Sequence, residues 1–293
     1  MKLIILVLIV LVFFTIVFNR KNIKYRLQEK QDNQRDYDLG LQAFRKGDYK
    51  TALFFFSEIC KKKDGKLFNY KSKEAAELAV TVDADGAFTP IRMSAMVIAV
   101  NRDKIEDVPE SWEDLLDPKY KGQIAMPDPN VSATSMVTVM TLADKYGWEY
   151  WRRMKANDVV VSPTMEMRDK FARGEYPITI TLEEDVLKQK MALNVNAEIV
   201  YPEEGSVLVP GYIGIMKDAR NPESAKKLVD WWLSEEGQSA MSLAFMHPVK
   251  FGVKEPAGSR TLFELQVHSL PVNWNRLMVE RQLVKDRFAE IMK

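Results

Sequence analysis

The 293 residues carry a net charge of +1 that conceals two stretches of opposite sign: residues 1–66 hold 14 Lys/Arg against 7 Asp/Glu, and the remainder 28 against 34. All 13 prolines and all 6 tryptophans also fall in the second stretch, from Pro90 and Trp112 onward, which marks a junction of differing segments near Asp64-Gly65-Lys66-Leu67. The single cysteine, Cys60, excludes an internal disulfide framework, a zinc cluster and a CxxC redox pair, and the basic residues of the head flank an apolar run rather than forming a nucleic-acid stripe.

Leu3 to Phe18 is apolar apart from Thr15. As a helix it spans roughly 24 Å, a little short of a ~30 Å hydrocarbon core. Phe18-Asn19-Arg20-Lys21 offers no small-residue cleavage site, which predicts an uncleaved signal anchor rather than a removed signal peptide. Arg20, Lys21, Lys24 and Arg26 follow it and favour the cytoplasmic side, whereas a solute receptor needs the opposite orientation, so topology stays open. Residues 21–66 read as a linker and one helical hairpin. Gly40 and Ala43 would let two helices approach, and Leu41, Phe44, Leu53 and Phe56 would supply their contact around a Gly47-Asp48-Tyr49 turn. This segment resembles one unit of the tetratricopeptide or Sel1-like repeats, which need about three copies to bury their faces.

Past Leu67 the pattern changes to alternating short apolar runs and helical stretches. Met96–Val100 reads as a buried strand. Ser111–Leu116 reads as a helix start, with Ser111 as cap and Glu113 and Asp114 in the first turn. A strand over Lys121–Met126, helices over Ser132–Lys145 and Trp148–Lys155, and a strand over Tyr176–Leu182 come next. A helix over Glu183–Met191, strands over Ala197–Tyr201 and Tyr212–Met216, and helices over Pro222–Ser234 and Trp274–Met292 complete the set. Alternation of this kind predicts an α/β architecture.

Several stretches in this region carry a family resemblance. Ser94-Ala95-Met96-Val97-Ile98-Ala99-Val100-Asn101 and Pro109-Glu110-Ser111-Trp112-Glu113-Asp114-Leu115-Leu116-Asp117-Pro118 resemble the type II periplasmic solute-binding proteins of ABC importers, in the ferric-ion, phosphonate and phosphoglycerate or sugar-phosphate group. Ala172-Arg173-Gly174-Glu175-Tyr176-Pro177, Ile199-Val200-Tyr201-Pro202-Glu203-Glu204-Gly205, Asn221-Pro222-Glu223-Ser224-Ala225 and His247-Pro248-Val249 follow in the same order. The resemblance covers about residues 67–293. It implies a two-lobed periplasmic-binding-protein type II fold with ligand in an interlobe cleft, a second lobe of about 103–197 and a partial first lobe from 67–101 and 205–293. The first lobe is expected to be incomplete, because its opening strands give way to a transmembrane helix and an α-hairpin. No catalytic constellation, metal cluster or cofactor motif is present, so an enzyme is not expected. The partners implied are a small anionic ligand, an ABC permease and the membrane through Leu3–Phe18, with the chain tethered and facing the periplasm or cell exterior.

The candidate ligand residues follow from position and chemistry. Ser132, Thr134 and Ser135 open a helix after a strand that ends near Asp128, where free N–H groups and the positive end of the dipole suit an anion. Capping alone requires only Ser132. Glu183 and Glu184 stand where the resemblance places the adjacent tyrosines of ferric-ion receptors, so the iron alternative loses its usual ligands. Glu203 and Glu204 lie on the returning crossover, and Ser94 is placed to face the cleft from the first lobe or to be a satisfied loop hydroxyl. His247 reads as a turn residue. A further alternative is a membrane-anchored helical-repeat interaction protein whose tail is a non-binding remnant.

Overall fold

The computed structural model describes residues 67–293, apart from the side chain of Met278. The anchor, linker and hairpin expected over residues 1–66 lie outside them. In chain order the elements are β1 (Leu67–Phe68), β2 (Thr89–Asn101), β3 (Ile124–Pro127), α1 (Ala133–Tyr146), α2 (Glu149–Ala156), β4 (Val160–Ser162), α3 (Thr164–Ala172), β5 (Ile178–Leu182), α4 (Glu183–Leu193), β6 (Ala197–Val200), β7 (Val207–Ile213), β8 (Ile215–Met216), α5 (Pro222–Leu233), α6 (Glu235–Leu243), α7 (Leu262–Val267) and α8 (Trp274–Met292). Among the described residues no helix is long and apolar enough to cross a membrane.

These residues group into two compact units. One takes 67–92, Pro210–Ala240 and Pro248–Val253; the other takes Met93–Val209, Met241–His247 and Lys254–Lys293. In the first unit β1 pairs β8 antiparallel. Phe88 meets Tyr212 edge-on at 5.4 Å. Tyr70 and Ser72 both donate to the Asp230 carboxylate, at 2.8 and 2.6 Å. The buried Gln238 amide donates to Ile91 and Trp232 carbonyls and accepts from the Val249 N–H, so one side chain satisfies three otherwise orphaned backbone groups.

The second unit is built on a mixed sheet of order β4-β3-β5-β2-β6, with β7 also pairing β2. β3 is parallel to both β4 and β5, and β2 is antiparallel to both β5 and β6. Met96–Val100 is fully buried because that part of β2 pairs on both sides and is apolar on both faces. The parallel strands need crossover helices, and α1, α3 and α4 begin directly after β3, β4 and β5. α1 is buried over Ala133–Ala143, which is why its sequence lacks a polar face. It stops at Gly147, at φ 76°, whose N–H donates to Ala143. Gly205 is required on two counts, its φ of 111° and the 2.8 Å at which a Cβ there would meet the His268 carbonyl; its own carbonyl accepts the buried Trp112 Nε1–H at 2.9 Å.

Several expectations change on inspection. The run over Ser111–Leu116 makes only a 3₁₀ turn at Asp114–Leu116, tied by reciprocal Ser111–Asp114 bonds and stopped ahead of Pro118. The strand expected over Tyr212–Met216 starts at Val207 and breaks at Gly214, where a Cβ would come within 3.0 Å of the Ala87 carbonyl. The closing helix, expected with 205–293 in the first lobe, belongs to the second unit. There Phe288 meets Trp151 edge-on at 5.1 Å, Arg276 pairs Asp144, and Arg287 lies over Trp148.

Candidate functional site

β4, β3 and β5 run parallel as neighbours, with Ile124 opposite Ile178 and Pro127 opposite Ser162. The turns that follow them therefore leave one edge of the sheet, the carboxyl edge, where α/β folds place ligands. Two of these turns carry most of the candidate residues.

After β3 the chain makes a tightly bonded turn. The Asp128 carboxylate accepts from the Asn130 N–H and amide at 2.8 and 3.0 Å, and the Asp128 carbonyl accepts from Ser132 and Val131 N–H at 2.8 and 3.1 Å. Ser132 caps α1, accepting from Ser135 N–H at 3.3 Å, and its hydroxyl lies 3.3 Å from that of Thr134. The first intrahelical bond is Met136 N–H to the Ser132 carbonyl, so the N–H groups of Ala133 and Thr134 precede the ladder. Ser135 is fully buried and donates to the Pro127 carbonyl at 2.5 Å, which uses its hydroxyl to hold the strand end.

After β5, Leu182 passes straight into α4 with no side-chain cap, and Glu183, Glu184 and Asp185 are all buried in its first turn. Three buried carboxylates demand partners. Asp185 pairs Arg168 of α3; burial raises its carboxyl above the ordinary value while the guanidinium opposes the rise. Glu184 accepts a long 3.5 Å bond from the Ser94 hydroxyl. Glu183, 1 % exposed, accepts from the Tyr201 hydroxyl and from His247 Nε2.

The Glu183 pair extends into a chain. His247 Nδ1 donates to Glu255 at 2.9 Å, and the other Glu255 oxygen accepts from Leu262 N–H at 2.8 Å, at the start of α7. The Tyr201 hydroxyl accepts from Arg260 N–H at 3.1 Å, and the Arg260 guanidinium stacks over the Tyr201 ring at 4.2 Å. Burial alone would lower the His247 imidazole, but bonds to Glu183 and then Glu255 outweigh it and push it up to about 9. His247 is therefore an imidazolium at neutral pH, donating from both nitrogens. Burial, then the Glu183 charge, raise the Tyr201 phenol above its ordinary value and keep it a donor.

The remaining candidates sit elsewhere. Both Glu204 oxygens are engaged, one by Trp112 N–H at 3.1 Å and one by the Tyr146 hydroxyl. Glu203 is exposed and donates its N–H to the Glu110 carbonyl at 3.0 Å. Sequence reasoning passed over His247, Tyr201, Glu255 and Arg260 as site residues. They lie up to 77 positions from Glu183 along the chain, and no spacing rule links them. Among the described residues no group of three or more His, Cys, Asp or Glu is arranged to hold a metal. An imidazolium spent on two carboxylates also has no lone pair to give one.

Comparison with known proteins agrees with this architecture. An uncharacterized protein of Haemophilus influenzae is 31% identical over 159 residues, covering 50% of this chain and 45% of its own. A periplasmic protein of Salmonella typhimurium, whose name proposes 2-aminoethylphosphonate binding, is 26% identical over 229 residues, covering 73% and 66%. The chain thus spans about half to two thirds of the length of these curated relatives. The periplasmic binding protein AfuA of Actinobacillus pleuropneumoniae, solved with exogenous fructose 6-phosphate, shares the fold at a TM-score of 0.69 and 24% identity, over 79% of this chain and 78% of that one. A family model described as bacterial extracellular solute-binding protein matches residues 39–277, a span that opens inside the segment expected to form the helical hairpin. On that match the chain is a member of the bacterial extracellular solute-binding protein family.

Proposed function

We propose that this protein is the substrate-binding component of an ABC importer and that its ligand is a small phosphorylated or phosphonate-bearing organic anion. The observation that carries the reading is the turn after β3. Two N–H groups ahead of the helical ladder and the hydroxyls of Ser132 and Thr134 stand at the positive end of a buried helix, the arrangement that suits a phosphoryl or phosphonyl group. The polar first turn of α4, with Glu184 and Ser94, leaves the same sheet edge and would take hydroxyl or amino groups of the ligand's organic part. The Salmonella relative is named for an aminoalkylphosphonate, and the Actinobacillus protein was solved with a sugar phosphate. Both are organic anions bearing phosphorus. The tether would be Leu3–Phe18, holding the receptor at the outer face of the membrane beside its permease.

The test is calorimetric titration of the full-length protein in detergent with 2-aminoethylphosphonate, fructose 6-phosphate, inorganic phosphate and ferric citrate. Saturable binding of at least one organophosphorus probe, and none of iron, is expected. Folded protein that binds none of the three phosphorus compounds overturns the reading.

A further inference from the structure

The last helix presents a feature that packing does not require. On α8, Leu277, Val284 and Phe288 form the buried stripe toward α1 and α2, and Lys285 lies within the same buried surface at 9 % exposure. Its Nζ donates to the Asn130 carbonyl at 2.9 Å. Arg281, one turn earlier, is half-buried, so two cations share this stretch of helix. Burial, and then the Arg281 charge, hold the Lys285 ammonium below its ordinary value, with Asp128 opposing. Burial likewise lowers Arg281. An ammonium desolvated beside a like charge costs free energy that an apolar side chain would not.

The group that Lys285 holds explains the cost. Within the turn Asp128–Ser132, the Asp128 carboxylate and carbonyl bind the N–H groups of Asn130, Val131 and Ser132. The Asn130 carbonyl is tied from outside the turn, by Lys285. The peptide that follows that carbonyl leads through Val131 to Ser132, the cap of α1.

We propose that Lys285 is a positioning residue for ligand binding: by gripping the Asn130 carbonyl it fixes the turn that presents Ser132 and the first N–H groups of α1, and it adds positive charge beside the anion they receive. This rests on the reading that the α1 turn takes the phosphorus-bearing group.

The test compares wild type with Lys285→Arg, Lys285→Gln and Lys285→Met as full-length protein. 2-Aminoethylphosphonate and fructose 6-phosphate serve as calorimetric probes, and the Tm of each unliganded protein is recorded. Losing a charged hydrogen bond at the turn weakens binding about tenfold or more in the Gln and Met variants. Lys285→Arg, which keeps charge and donor, restores affinity toward wild type, and the unliganded Tm does not fall in the Gln and Met variants. Equal affinity in all four proteins overturns the proposal. So does a loss that follows a fall in unliganded Tm, because Lys285 then serves stability alone. Wild type that binds neither probe removes the underlying reading instead, an outcome visible before any variant is compared.

Discussion

His247 sits between two carboxylates with only 2 % of its side chain exposed, and its value to the fold depends on carrying a proton. An imidazole whose ordinary pKa is 6.5 and which stands at about 9 here contributes its full stabilisation below about pH 6.5, and loses it as the pH climbs through 9. The shift corresponds to on the order of 3 kcal/mol. The Tm is therefore expected to fall between pH 7 and 10, and His247→Gln is expected to lower the Tm at pH 7 while flattening that alkaline slope. A variant whose slope matches wild type would place the titration on another group. Tyr201 supplies the second donor to Glu183 and an acceptor for Arg260 N–H. Tyr201→Phe leaves both partners short, and a destabilisation of about 1–3 kcal/mol is expected by urea denaturation. None of this was legible from residue type. His247 was read as a turn residue, but the turn falls at Ala244 and Phe245, and His247 itself forms an antiparallel bridge to Met93. The chemistry comes from Glu183 and Glu255, which folding brings from distant positions.

α1 was the most readable element because its signals are local. A hydroxyl cap at Ser132, a long apolar run and Gly147 mark its start, body and end within one stretch. The same turn separates two roles that sequence treats as equivalent. Ser135→Ala removes a buried hydroxyl from the Pro127 carbonyl and should cost about 1–2 kcal/mol of stability with little change in ligand affinity. Ser132→Ala removes the cap, costs about 1 kcal/mol, and should weaken binding of an organophosphorus probe as well. Denaturation and calorimetry on the two variants distinguish the roles, and affinity lost equally in both would erase the distinction. β4 and α3 went unread for opposite reasons. β4 is three residues long, and α3 buries only Met167 and Phe171 on an otherwise charged helix, too little pattern for a period to emerge.

Membership of an extracellular solute-binding family fits the mixed sheet, and the site proposed above would lie at the carboxyl edge of that sheet. The α/β class was legible because strand and helix periods alternate. The mixed pairing was not, since β2 enters antiparallel beside two later strands, an arrangement that only long-range hydrogen bonding reveals. For the tether, Leu3–Phe18 predicts that the protein stays with membranes after alkaline carbonate washing and that deleting residues 1–20 releases it; protein recovered in the wash without deletion would refute the anchor. The second unit, meanwhile, is assembled from three separate stretches, the last beginning at Lys254. A premature stop codon after Val253 would therefore do more than shorten a tail. It would strip Glu255, Arg260 and all of α8 from a unit whose strands are already translated, leaving His247 without Glu255, Tyr201 without Arg260 and the Asn130 carbonyl ungripped.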